Sequence, residues 1–162
     1  MKRYIGTKLI NAKPMTRQAY NDFRGWTLPS DENGADEGYL VEYVDGGKGN
    51  TDHYAGYVSW SPADVFDRAY RPCEGMTFGQ ALESLKSGQK VARAGWNGKG
   101  MFVYYVPANS YPAQTGVAKS HFGADALVPY NAYMAIKNVN NTVSTWVPSV
   151  NDCLSEDWEI VE

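Results

Sequence analysis

KVARAGWNGKGMFVYYVP, residues Lys90 to Pro107, is the stretch that decides the fold. It opens on a short alternating run, Val91-Ala92-Arg93. It breaks at Gly95-Trp96-Asn97-Gly98-Lys99-Gly100 and resumes as Met101-Phe102-Val103-Tyr104-Tyr105-Val106. β-branched and aromatic residues dominate the second run, and turn residues bound it on both sides. Three glycines in six positions, with Asn97 among them, mark a tight connection able to take positive φ angles. The reading is strand, glycine-rich turn, strand. Two roles are open for the turn. Trp96 could fold back onto the core of a hairpin. Alternatively, Trp96 and Asn97 could wall a pocket for a flat, hydrogen-bonding ligand.

The surrounding sequence continues in the same style. Ahead of the stretch, Thr77-Phe78-Gly79-Gln80 fits a capping box, which satisfies two orphan backbone donors at a helix start. Phe78, Ala81, Leu82 and Leu85 follow at helical spacing, and Gly88 is the expected C-terminal glycine. Behind it, Ala108 to Ala126 reads as a long polar connection, and Leu127 to Tyr133 is ambiguous. Met134 to Lys137 and Val143 to Val147 read as a hairpin closed around Asn140-Asn141. Asn151 to Leu154 reads as a short helical turn and Trp158 to Val161 as a last strand.

The N-terminal part has the same mix. A strand is expected over Tyr4 to Ile10, ended by Lys13-Pro14-Met15, because proline cannot donate to a ladder. Thr16 is the expected N-cap of a helix through Phe23, stopped by Gly25. Thr27 to Glu37 reads as a loop. Gly38 to Val44 and Gly56 to Trp60 are expected to pair as a hairpin. Ser61 then caps a helix with Pro62 at its first position, and Val65, Phe66 and Ala69 face inward. The class is α+β: two small units of antiparallel sheet with short helices, over 1–72 and 76–162.

Composition narrows the function. The chain has 162 residues, 43% of them hydrophobic and 20% charged, enough for a packed core. Aromatics reach 14%, with 12 tyrosines and 5 tryptophans, which suits sheet faces or binding surfaces. A net charge of −3 argues against a protein gripping polymeric nucleic acid through many phosphates. Cys73 and Cys153 form no paired spacing, so neither a zinc knuckle nor a redox motif is read. No apolar run reaches membrane-spanning length. The expectation is a soluble intracellular protein with no membrane partner, no metal and no cofactor.

Chemistry is sparse. The turn lacks P-loop spacing. Asp52-His53 and His121 fit exposed loop positions better than metal or catalytic ones. Asp152, Glu156, Asp157 and Glu159 could do acid–base work on a nucleotide or glycoside, or could form a solvated acidic edge. Asp152 could accept hydrogen bonds from a ligand, or cap the short C-terminal helix. Tryptophans, amides and hydroxyls near glycine turns suit capture of a small nucleotide by stacking, with Arg93, Lys99 and Lys137 to offset phosphate charge. They suit a carbohydrate-binding or structural module almost as well.

Three segments carry a resemblance. They are MTFGQALESLKSGQKVARAGWNGKGMFVYYVP from Met76, VPYNAYMAIK from Val128 and VSTWVPSVNDCLSEDWEIV from Val143. Over Met76 to Glu162 the chain resembles the second Thoeris anti-defence family of bacteriophages. Residues Tyr4 to Trp26, Gly38 to Gly47 and Gly56 to Pro62 resemble an accessory domain of phage proteins. The family resemblance implies a nucleotide sponge in the host cytoplasm that sequesters cyclic ADP-ribose-type signals without cleaving them. It implies a homotetramer with pockets where two protomers meet, and a separate site for cyclic di- or trinucleotides in some members. By motif it makes Trp96, Asn97, Met101, Trp146, Ser149 and Asp152 the pocket candidates, the tryptophans for stacking and Asn97, Ser149 and Asp152 for hydrogen bonds. Members often carry Gln-Thr before the acidic residue, where this chain has Val150-Asn151.

Overall fold

The computed structural model describes residues 1–162. The chain divides into two compact units, Met1–Arg71 and Pro72–Glu162. Five short helices and antiparallel sheets of three, five and two strands make it an α+β protein.

In the first unit, β1 (Ile10–Pro14), β2 (Gly38–Tyr43) and β3 (Tyr57–Pro62) form an antiparallel sheet with β2 central. The expected first strand, Tyr4 to Ile10, is displaced. Pairing starts at Ile10 opposite Tyr43 and runs to Pro14 opposite Tyr39. β1 is an edge strand, where a residue without an N–H is tolerated. α1 (Arg17–Arg24) forms as its caps predict. The Thr16 hydroxyl accepts from the Ala19 N–H, and Gly25 closes the helix at φ +67°. Tyr20 packs on Leu40 and Val58, with Met15, Phe23, Tyr54 and Trp60 around them. α2 (Ala63–Ala69) starts later than expected. Ladder pairs Tyr39–Ser61 and Gly38–Pro62 keep both residues extended, so Ser61 is no cap. Of the three residues expected inward, Val65 and Ala69 are exposed. Phe66 stacks on Tyr39 with ring centroids 4.0 Å apart.

A buried carboxylate ties this sheet together. Glu42 accepts from the Asn11 amide at 3.0 Å and from the Gly56 N–H at 3.0 Å. Those bonds, the Asn11 one foremost, hold its pKa below the usual carboxylate range. Gly56 is itself buried, and a Cβ there would collide with the Tyr43 carbonyl and lie 3.1 Å from Glu42 Cγ. Gly56→Ala is therefore expected to destabilise the first unit by roughly 1–3 kcal/mol, the usual cost of overpacking. Urea unfolding checks it; an unchanged midpoint would mean the hairpin yields without cost.

In the second unit, α3 (Phe78–Lys86) opens with the predicted box: Gln80 N–H donates to the Thr77 hydroxyl, and the Gln80 side chain accepts from Thr77 N–H. The main sheet runs β10–β4–β5–β8–β9, all antiparallel. Its strands are β4 (Lys90–Arg93), β5 (Phe102–Val106), β8 (Tyr133–Lys137), β9 (Val143–Trp146) and β10 (Trp158–Val161). α3 lays Ala81 and Leu85 on Val91, Val103, Ile136 and Trp158, with Met76 beside them. Fully burying each aliphatic side chain stabilises by roughly 1.5–3 kcal/mol. The Asn140–Asn141 turn joins β8 to β9 as expected, with Asn141 at φ +64°.

The long connection is not a loop. It holds β6 (Asn109–Pro112) and α4 (Gly116–Phe122), and the ambiguous stretch after it supplies β7 (Leu127–Tyr130), which pairs with β6 as a two-stranded ribbon. Pro112 and Pro129 hid it from the sequence. Both strands of such a ribbon have an open edge, and there a missing N–H costs little. No helix of the chain is long and apolar enough to cross a membrane.

Candidate functional site

Strand pairing assembles the site from parts distant in sequence. β10 lies antiparallel to β4 with Trp158 opposite Arg93, the last residue of β4. Asp157 therefore faces the turn. Its carboxylate takes the Arg93 guanidinium in a fork, 2.8 Å from Nε and 3.3 Å from Nη2, and accepts from the Gly95 N–H at 2.9 Å. Its carbonyl accepts from Ala94 N–H at 3.0 Å.

The second part is α5 (Val150–Leu154), capped by Ser149. This is a capping box written with Asp152 in place of the usual Glu or Gln. The Ser149 hydroxyl accepts from Asp152 N–H at 3.1 Å, while Asp152 Oδ2 accepts from Ser149 N–H at 2.9 Å and from its hydroxyl at 2.7 Å. The other carboxylate oxygen accepts from Arg93 Nη1 at 3.0 Å and from the Trp96 indole N–H at 3.3 Å. So Asp152 is 9% exposed with both oxygens engaged. Burial pushes its pKa up. The bonds from Ser149, Arg93 and Trp96 outweigh that and hold it at about 2. Arg93 is raised in turn, by Asp157 first and Asp152 second. The expected solvated acidic edge is thus, at Asp152 and Asp157, an ion-pair network.

Aromatic rings form the third part. Trp96, Trp146 and Trp158 meet edge to face, with centroids 5.5–6.1 Å apart. Phe78 closes the group, 6.4 Å from Trp146 and 5.5 Å from Trp158. Such arrangements add about 0.5–1.5 kcal/mol per pair beyond burial. Trp158 is fully buried, and its indole N–H donates to the Asp152 carbonyl at 2.9 Å. Trp96 and Trp146 are half-buried.

The structure thus brings Trp96, Trp146, Ser149 and Asp152 together. Met101 is half-buried and packs against the same core. Asn97 is exposed at the turn beside Trp96. Of the three glycines, only Gly100 uses a positive φ, +71°. Gly98 is needed for space instead: a Cβ there would collide with Met101 Sδ and lie 2.7 Å from Val139. Lys137 donates to the Gly100 carbonyl at 3.0 Å, holding the far end of the turn. Sequence reading put Asp157 among the acid–base or solvated-edge carboxylates, gave Trp158 to the last strand without a site role, and gave Arg93 to phosphate. A signal for Asp157 existed in its position one residue before the last strand.

The comparisons cover this unit. A family model described as Thoeris anti-defense 2-like domain matches residues 76–161. The protein Thoeris anti-defense 2 of Bacillus phage SP01 is 38% identical over 86 residues, 53% of this chain and 94% of that protein. All six pocket candidates, with Arg93, Asp157 and Trp158, fall inside the matched range, and the first unit falls outside it. The chain therefore belongs to the Thoeris anti-defense 2-like family of phage proteins that act against Thoeris defence.

Proposed function

We propose that the chain is a non-catalytic sponge. It binds a cyclic ADP-ribose-type signal, glycocyclic ADP-ribose, in the host cytoplasm and holds it uncleaved, so that the Thoeris effector is not activated. Membership in a family that acts against Thoeris defence supports this reading. The observation that carries the non-catalytic reading is the state of Asp152. A general acid must carry a proton near neutral pH. Asp152 is held at about 2, with both oxygens occupied. Asp157 is likewise held low, by Arg93 first. Neither carboxylate can serve as the general acid that cleavage of a nucleotide or glycoside would need, and both oxygens of Asp152 are already engaged.

Trp96 and Trp146 supply stacking surface, and Asn97 and Ser149 the polar contacts. Asp152 serves from behind them. A pocket shared between copies, in a homotetramer, fits the surface beside these residues. Val147, Val150 and Leu154 are 83%, 73% and 78% exposed around the α5 box. Val150 and Leu154 share one helix face. A sponge must outcompete the effector, and nanomolar capture needs about −12 kcal/mol, which an enclosed two-chain pocket can supply.

The test is to incubate the purified protein with glycocyclic ADP-ribose, remove free ligand, heat-denature, and chromatograph what is released. Intact signal in near-stoichiometric amount is expected. Cleaved product would make the chain an enzyme. No depletion would exclude this ligand, and cyclic di- and trinucleotides run in parallel would show whether that class is bound instead.

A further inference from the structure

We infer that Arg93 and Asp157 are positioning residues that set the orientation of Trp96, and that Arg93 does so as a fork rather than as a charge. The geometry is specific. One guanidinium spans two carboxylates, Asp157 through Nε and Nη2 and Asp152 through Nη1. Each carboxylate then fixes a different part of the turn. Asp157 holds the backbone at Gly95, and Asp152 holds the Trp96 indole N–H. Asp152 is the polar partner of the Trp96 side chain. Its ring rests on Trp146 and Trp158, and the bond to Asp152 sets its rotation there.

The network is also poorly placed to hold a phosphate. Arg93 contributes one positive charge against two carboxylates within hydrogen-bond distance, so the cluster is net negative. Its side chain is 18% exposed, Asp152's 13% and Asp157's 33%. A planar fork can bridge both acids at once. A lysine keeps the charge but offers a single nitrogen, and cannot reproduce three bonds in fixed directions.

The positioning itself stands on this geometry; its consequence for capture rests on the sponge reading above. Arg93→Lys, Arg93→Gln and Asp157→Asn in the full chain test both. The first readout is the indole N–H of each tryptophan by NMR, with Trp96 assigned through Trp96→Phe. Trp158, whose N–H is buried on the Asp152 carbonyl, reports on the fold. Solvent exchange at Trp96 is expected to rise at least ~10-fold in all three variants, with Trp158 unchanged. Unchanged exchange at Trp96 in Arg93→Lys would overturn the fork. Equal acceleration at both indoles would show general loosening, and overturn positioning too.

The second readout is affinity for glycocyclic ADP-ribose. Arg93→Lys is expected to lose as much as Arg93→Gln, at least ~10-fold. Rescue by Arg93→Lys alone would make Arg93 a counter-charge and overturn the proposal. If the unaltered protein captures no ligand, the sponge reading fails, and the exchange rates still decide the positioning.

Discussion

Trp158→Ala is expected to cost the second unit about 3–5 kcal/mol, the range for removing a fully buried large aromatic from a packed core. For a unit of this size that lowers the melting temperature by more than about 10 °C. Trp158 is fully buried and touches three other rings. Its backbone also pairs with Met76 in both directions, at 2.9 and 3.2 Å, closing the start of the unit onto its last strand. A backbone pairing survives the substitution, so the loss measures packing and the indole bond. Trp158→Phe separates those two. It keeps most of the ring contact but leaves the Asp152 carbonyl without its donor, for a cost nearer 1–3 kcal/mol. Trp146→Ala, at a half-buried position on β9, is expected to fall well short of Trp158→Ala. Thermal and urea unfolding check the order. A Trp158→Ala variant within about 1 kcal/mol of the parent would mean that this residue is not the centre of the core.

What the sequence disclosed, and what it hid, follows from the range of the interactions. The glycine turn and its two strands, the Thr77–Gln80 capping box and the Asn140–Asn141 hairpin are local signals, and all of them formed. Prolines misled wherever a strand lies at an edge. Pro14 ends β1, Pro62 ends β3, and Pro112 and Pro129 sit in the β6–β7 ribbon. In sequence Pro14 reads as a strand end and Pro62 as a helix start, while Pro112 falls in the polar connection and Pro129 in the ambiguous stretch. A missing N–H breaks a ladder only where a neighbour strand needs it. The site behaved the same way. Trp96 and Asp152 were visible one at a time, and two roles stood open for each. The Trp96 turn does fold onto the core, and Asp152 does cap α5. Their mutual bond spans 56 residues, and the Arg93–Asp157 fork spans 64. No local pattern encodes a pairing of that range; only the register of β10 on β4 supplies it.

Removing the Asp152 carboxylate should be nearly as costly as removing Trp158. Asp152→Ala is expected to destabilise the second unit by about 2–4 kcal/mol, slightly below the usual cost of breaking a buried ion pair, because Asp157 still pairs with Arg93. It removes one arm of the Arg93 fork, breaks the carboxylate half of the α5 capping box and frees the Trp96 indole together. Asp152→Asn keeps one acceptor oxygen and loses the charge, so its cost should be smaller, about 1–2 kcal/mol. The pH dependence identifies the cause. Asp152 titrates at about 2 in the folded chain against an ordinary 3.8. A depressed folded pKa means that the unfolded chain takes up the proton first as pH falls. The stabilisation is thus complete above about pH 4 and is lost as pH falls through about 2. Asp157 is depressed in the same direction by the same Arg93, and Glu42 is depressed in the first unit. Asp152→Asn should therefore flatten the acid limb of the second unit's stability curve without abolishing it, and Asp152→Asn with Asp157→Asn should flatten it further. An acid limb unaltered by Asp152→Asn would show that the carboxylate is not held by Arg93 and Trp96. Trp96 would then owe its orientation to ring packing alone, and a ligand, rather than the protein, would have to set the stacking geometry at the moment of capture.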